Sequence, residues 1–571
     1  LNTYSNWQKK SKKKNLQPTM KKEQKMPRNE EAYAVVDTID IQRSHWSRNW
    51  THKTAFNAGK LVPFYIDGDI IPGTTIKNKT SIVIRMNTPL YPIMDNLYLD
   101  TYYFKCSKYW YWEHFRAQHG ENNTSAWTQT IDYITPTIKL TSNSTKYGPN
   151  DLANYLGIPQ DVNNFEYDRW AVSAYIDVWN NWFRSEVVTA PISIDTSDSD
   201  LTADGTINTG YGLLDVCKFF DYFTSATLSA QKGPNVQLPL GTTAPVVGNG
   251  KALGLTDGNS RYGLGVTGGH LQASTAVLDT AVSTTGMPST GIIANGSIVG
   301  LSTQAANSGV YADLSNAVAA TINAQRLAFA TQRIFEKDSR FGSRYPEMLS
   351  GQYGTTASDE ALLIPEYLGG KRIPINIEQI TQTSSTDSVS PLGETGAFSV
   401  TADVNEDFTK SFSKHDIIIG LMCVRADHTY QQGLPKQFTR PRRLDTYYPS
   451  TAHIGNQPIN NEEIFLTGTS TDKQTFGFKE AWQEYLYKPS QISGEMNSAS
   501  TNSLDNWHFG DDYATLPVLS DAWIKEPTTY IDRCLAVPSS TAQQFWADIY
   551  IEQDVAAPIP LNRVPGLIDH Y

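Results

Sequence analysis

Strand-forming stretches stand at both ends of this chain, and that pattern most restricts what it can fold into. Near the beginning, "KLVPFYIDGDIIPGTT" (Lys60 to Thr75) and "TSIVIRMNTPLYPIMDNLYLDTYYFKC" (Thr80 to Cys106) are short β runs broken by Pro, Gly, Asn and Asp. That punctuation belongs to antiparallel strands joined by turns. Near the other end, Phe545, Ala547, Ile549 and Ile551 alternate with Trp546, Asp548, Tyr550 and Glu552, so one set faces inward on a half-buried strand. "HDIIIGLMCVRAD" (His415 to Asp427) has no such alternation and is expected to be a strand covered on both faces. Length alone, 571 residues, suggests three or four domains. The abundance of Tyr (30), Phe (21) and Trp (13), with much Thr, Ser, Gly and Pro, argues instead for one large, mainly β body with long loops.

Two stretches have a helical pattern: "YDRWAVSAYIDVWNNWFRSE" (Tyr167 to Glu186), and Tyr311 to Arg340, where Leu314, Val318, Ile322 and Phe329 share one face. They lie between strand regions, as insertions do. From Gly241 to Asn307 the chain becomes Gly, Thr, Ser, Ala and Val with almost no aromatic residue. Such a stretch cannot build a core of its own, so it is either disordered or a long excursion leaning on neighbours. The cysteines Cys106, Cys217, Cys423 and Cys534 are far apart, with no CxxC pair, which suggests reduced thiols and neither a zinc site nor a disulfide framework. No apolar run approaches the ~20 residues of a membrane span; the longest is "IIIGLMCV".

Motifs of catalysis and ligation are weak. "GLGVTG" (Gly263, Gly265, Gly268) spells GxGxxG, but nothing around it suggests the strand-to-helix turn that a dinucleotide needs. "DSDLTADG" (Asp198 to Gly205) imitates a calcium loop yet has Ala203 and Thr209 where Gly and Glu are required. His114 and His119 are five apart, which does not put both imidazoles on one helical face. Asp67 and Asp69 could form a carboxylate pair for glycoside chemistry, though turn residues flanking strands are commoner. No catalytic residue, metal ligand or cofactor is expected. The aromatic stretch "YYFKCSKYWYWEHF" (Tyr102 to Phe115), interleaved with Lys105 and Lys108 and followed by Arg116, could stack unpaired bases or could be core and interface packing.

The chain opens against its own charge. It carries a formal charge of -11, yet Lys9, Lys10, Lys12, Lys13, Lys14, Lys21, Lys22, Lys25 and Arg28 crowd its start. No apolar h-region follows, so this is not a secretory signal. Residues 1–40 are expected to be a basic, polar arm, disordered or partly untranslated, ahead of a single domain over 41–571.

Several blocks are recognisable. "RSHWSRNWTHKTAFNAGKLVPFYIDGDIIPGTT", "TPLYPIMDNLYLDTYYF", "WNNWFR", "FFDYFTSATLSAQKG", "TINAQRLAFATQRIFEKDSRFGSRYPEML", "PEYLGG", "CVRADHTYQQGLP", "YKPSQISG" and the terminal "VPGLIDHY" closely resemble the major capsid protein of the Microviridae, small single-stranded DNA phages, and of the gokushovirus branch in particular. The blocks keep family order from about Arg43 to Tyr571. The resemblance implies a viral jelly roll, an eight-stranded antiparallel sandwich with long inserted loops containing a few helices. It also implies a T=1 icosahedral shell of many copies around circular single-stranded DNA, assembled in the bacterial host cytoplasm. Residues 242–310 would be the variable insertion, which forms threefold protrusions and contributes to host attachment. Implied partners are further copies of the chain, the genome, a small basic DNA-binding protein, pilot or spike-type phage proteins and a host surface receptor. The lysine-rich start departs from the family pattern: either it is an interior arm that neutralises phosphate, or the frame was extended upstream and translation begins at Met20 or Met26. The rival reading from another class is a carbohydrate-binding or carbohydrate-active β-sandwich.

Overall fold

The computed structural model describes residues 41–122, 132–237, 321–342, 344–384 and 392–561, and the backbone of short strands between 246 and 312. Eight strands form its body: β1 (Ser44–Phe56), β2 (Val62–Ile70), β3 (Thr75–Met86), β4 (Leu97–Ser107), β5 (Glu366–Pro374), β6 (Thr401–Ser411), β7 (Asp416–Ala426) and β8 (Phe545–Ala557). They pair into two four-stranded sheets, in the orders β1-β8-β3-β6 and β5-β4-β7-β2, all antiparallel. That interleaving of first and last strands is a jelly roll. It accounts for strand signal at both ends of the chain, because β8 lies between β1 and β3.

Alternation decides which face of each strand is buried. On β8, Phe545, Ala547, Ile549 and Ile551 point inward and sit opposite Met86, Ile84, Ile82 and Thr80 of β3. A one-residue slip would turn all four outward, so the apolar pattern sets the register. Strand β7 is buried along its whole length. Its residues Ile418, Met422 and Val424 face the sandwich core, whereas Ile417, Ile419, Leu421 and Cys423 face a second core outside the sheet. Helix α1 (Trp170–Val178) covers that outer face, and its Tyr175 hydroxyl donates to the Leu61 carbonyl at 2.7 Å. Gly420 on β7 leaves no space for a side chain, since a Cβ there would sit 2.7 Å from the Cβ of Tyr65 and 3.0 Å from the Tyr103 ring.

Most of the remaining chain falls in two long excursions, residues 108–365 between β4 and β5 and 427–544 between β7 and β8. They meet in a third core containing Tyr222, Phe223, Tyr430, Ile464, Phe476 and Trp523. The first excursion corrects both helix expectations. Tyr167 belongs to a strand (Phe165–Asp168), and α1 begins at Trp170 and passes into a π turn over Trp179–Phe183. Tyr311 also belongs to a strand, Val310–Ala312, paired with Val246–Gly248. Helix α2 starts only at Ile322, where the Thr321 hydroxyl accepts from the Ala324 N–H, and runs to Phe341. Leu314 and Val318 lie outside the described residues. Gly263 and Gly265 of "GLGVTG" sit on the strand Arg261–Thr267, which pairs antiparallel with His270–Ala273 and is not followed directly by a helix, while Gly268 lies outside the described residues. All four cysteines are free and buried. Among the described residues, no helix is long and apolar enough to cross a membrane.

Candidate nucleic-acid interface and assembly surface

The structure puts the basic and aromatic residues of Tyr102–Arg116 mostly inside. Tyr103, Phe104, Tyr111, Trp112 and Phe115 are buried, and Tyr102, Tyr109 and Trp110 are half-buried. Lys105 follows Tyr103 on the inner face of β4 and sits opposite Glu366 of β5, with only 5% of its side chain exposed. Its ammonium lies 3.3 Å from Glu366, 3.4 Å from Glu360 and 4.0 Å from Asp416. Burial opposes that charge, but Asp416, Glu366 and Glu360 more than compensate and raise its pKa. Lys108 pairs with Asp69 at 3.1 Å and stands over the Trp170 ring, and only Arg116, paired with Glu121, is well exposed. The first two cations are thus committed to the fold. Lys9, Lys10, Lys12, Lys13, Lys14, Lys21, Lys22, Lys25 and Arg28 lie outside the described residues.

The other sequence candidates separate as well. Asp67 holds Arg48 and lies 3.3 Å from the Tyr65 hydroxyl, whereas Asp69 is bound by Lys108, so the two carboxylates serve different partners. His114 stacks on Tyr133 at 4.3 Å, while His119 packs against Phe115 and His415. In the calcium-like loop, Asp198 accepts from Trp112 and contacts His114, Asp200 pairs with Lys139, and Asp204 caps Thr206 and Thr209. Among the described residues, no group of three or more His, Cys, Asp or Glu side chains could hold a metal ion.

A cleft of about 540 Å³ opens in the second excursion, lined by loop residues between Tyr430 and Arg440 and between Glu484 and Ser493, with Tyr222 and Phe223 behind. Buried ion clusters lie behind the loop that starts at Tyr430, which pairs with Asp511. His428 bridges Asp511 at 2.8 Å and Glu526 at 2.9 Å, and Lys218 stands 3.6 Å from Asp511. Burial alone would keep His428 neutral, yet Glu526 and Asp511 push its pKa up to about 10. Burial likewise disfavours the Asp511 carboxylate, but His428 and Lys218 hold its pKa below the ordinary value. Beside this cluster, Asp100 receives Arg372 at 2.7 Å and Arg425 at 2.6 Å. Both guanidinium groups lie over the Phe219 ring, at 4.3 and 4.2 Å.

At the mouth the character changes. Arg440 lies 4.2 Å over the Tyr485 ring and donates to Glu484 at 2.9 Å. The loop runs on through the exposed Arg442 and Arg443 to Tyr447, whose N–H donates to the Tyr485 hydroxyl at 3.2 Å. None of these residues is marked out by strand or helix period. The signal available in the sequence is "KQFTRPRRLDTYY" (Lys436 to Tyr448), four cations and three aromatic rings against one acid.

A second exposed surface is apolar. On α2, Leu327 is 69% and Phe329 66% exposed, and Ile322, Ile334 and Phe341 are exposed too. The helix is tied to the rest of the subunit: the Phe335 carbonyl accepts from the Lys232 N–H, Gln332 bonds Gln231, and Arg340 pairs with Glu480 at 2.8 Å. A fixed helix that leaves five large apolar side chains in water marks a surface for association.

The chain is similar to known proteins along most of its length. It matches the family described as capsid protein (F protein) over residues 34–567. It is 33% identical to capsid protein VP1 of Chlamydia phage 1, covering 94% of this chain and 97% of that protein. Capsid protein VP1 of Bdellovibrio phage phiMH2K is also 33% identical, over 95% and 99%. Capsid protein VP1 of Spiroplasma virus 4 is 34% identical, over 90% and 94%.

Proposed function

Because the chain belongs to the capsid protein (F protein) family of Microviridae-type phages, we propose that it builds a T=1 icosahedral shell around a circular single-stranded DNA genome. As a capsid protein it is a structural component of the virion and assembles with copies of itself. The observation that carries the finer reading is the set of exposed apolar side chains on α2, which the described residues of the subunit leave uncovered. Neighbouring subunits complete that burial, and contacts that are modest one at a time become strong through closure and repetition. DNA contact is largely independent of sequence, since a shell accepts whatever bases fall beneath it. The lysine cluster from Lys9 to Arg28 neutralises phosphate where it is translated.

Residues 242–310 contribute to host attachment through a surface receptor, and a small basic protein and pilot or spike-type proteins complete the particle in the host cytoplasm. Nuclease treatment of purified particles, followed by extraction, tests the reading. Protected circular single-stranded DNA is the expected product. Shells whose only protected nucleic acid is duplex, or that protect none, would contradict genome enclosure.

A further inference from the structure

The cleft at Tyr430–Ser493 has the size of a small-ligand pocket, roughly 300–1,000 Å³, and its chemistry narrows the ligand. Its two carboxylates are already engaged. Glu463 takes Lys436 at 3.3 Å, the Tyr222 hydroxyl at 3.2 Å and the Asn460 N–H at 3.0 Å, and Glu484 takes Arg440. What remains uncommitted is positive. Lys488 on the rim and Arg442 on the adjoining loop are exposed and make no ion pair among the described residues. Aromatic faces accompany the charge: Tyr487 stacks on Tyr222 at 5.2 Å and 7°, and Tyr485, sandwiched on one side by Arg440, is still 49% exposed. The Nε of Arg440 has no hydrogen-bond acceptor in this structure.

Surplus cations next to half-exposed rings suit a ligand that is anionic and flat. Both carboxylates of the cleft are paired and Gln431 is tied to Ser498 and the Asp511 carbonyl, so the groups left with unmatched charge favour an anion over a neutral saccharide. A DNA duplex keeps its bases stacked and would have to unstack one to fill the cleft. Single-stranded DNA offers base faces at no such cost, and aromatic platforms beside a basic groove bind it without regard to sequence. We infer that the cleft takes one unpaired nucleotide of single-stranded DNA, its base against Tyr485 and its phosphate towards Lys488 and Arg442. This site rests on the genome-enclosing reading above.

The test uses the full chain and an oligothymidylate of about 10 nucleotides carrying 5-bromodeoxyuridine. Ultraviolet crosslinking with peptide mapping locates the contact, and polarisation titration measures affinity. Crosslinks are expected in the peptide holding Tyr485 and Tyr487. Tyr485→Leu should weaken binding about tenfold while Tyr485→Phe retains it, and Lys488→Gln should reduce the salt slope by about 0.7, with thermal unfolding showing every variant folded. Undiminished binding in Tyr485→Leu, with crosslinks outside 430–493, would overturn the site and leave genome enclosure standing. Failure to bind any single strand, together with particles empty of DNA, would overturn both. Saturable binding of glucose or galactose that Tyr485→Leu abolishes, without any effect of that change on DNA, would make the cleft a sugar site and overturn the inference.

Discussion

The segments Tyr102–Arg116 and Lys436–Tyr448 are alike in composition and opposite in use. Both mix Lys or Arg with aromatic rings, but the first forms the end of β4 and the turn after it. There the rings enter two cores, and Lys105 and Lys108 meet carboxylates that cancel them. The second has no regular strand to bury it: Lys436 and Arg440 are paired with Glu463 and Glu484, but Arg442 and Arg443 stay exposed, and Phe438 and Tyr447 are left at the surface. Basic and aromatic content therefore says little about nucleic-acid contact until each charge has been matched to its partner.

The comparison can be broken most sharply at a deeply buried, committed cation. His428→Ala would leave Asp511 and Glu526 buried without their counter-charge and should cost about 3–5 kcal/mol in denaturant unfolding. Because the folded pKa of about 10 lies above the ordinary histidine value, this stabilisation is complete below the unfolded pKa and is lost as pH rises through 10. The gap between wild type and variant should therefore narrow from neutral pH upward; a constant gap would mean that packing and not charge is at work. Lys105→Met should cost less, about 2–3 kcal/mol, because Glu360 and Glu366 keep some contact with water. A stable Lys105→Met chain that had lost DNA retention would reverse the comparison and make the end of β4 a genome surface.

On exposed positions the expected stability changes fall to about 0.5 kcal/mol or less. Leu327→Ser with Phe329→Ser on α2 should leave the unfolding transition in place and lower the yield of particles seen by sedimentation. Unchanged particle yield would remove α2 from the contacts between subunits. Arg442→Gln with Arg443→Gln should affect stability least, yet flatten the salt dependence of DNA retention by about 0.7 per charge that contacts phosphate. A cooperative loss of folding in that variant would place the two arginines with the committed cations.

Much of the sandwich was legible in the sequence because strand burial follows a period of two. Phe545, Ala547, Ile549 and Ile551 face inward, and His415–Asp427 contains a strand buried on both faces. Helix bounds were less legible. Leu314, Val318, Ile322 and Phe329 have the right spacing, but Tyr311 pairs with Val247 as a strand, and the Thr321 cap starts the helix later. Ile322 and Phe329 then point to water, because amphipathicity does not say whether the apolar side meets its own subunit. The cleft left almost no trace, since Tyr222, Tyr430 and Tyr487 come together from three distant parts of the chain. The ion clusters were hidden for the same reason: His428 finds Asp511 across 83 residues.

The most direct measurement of the central claim is sedimentation velocity with electron microscopy on the purified full-length chain, with and without circular single-stranded DNA. The account predicts closed icosahedral particles or the symmetric subassemblies that lead to them, with the exposed apolar side of α2 occluded between copies. A folded chain that stays a lone subunit at every concentration and salt tested, DNA present or absent, would contradict it.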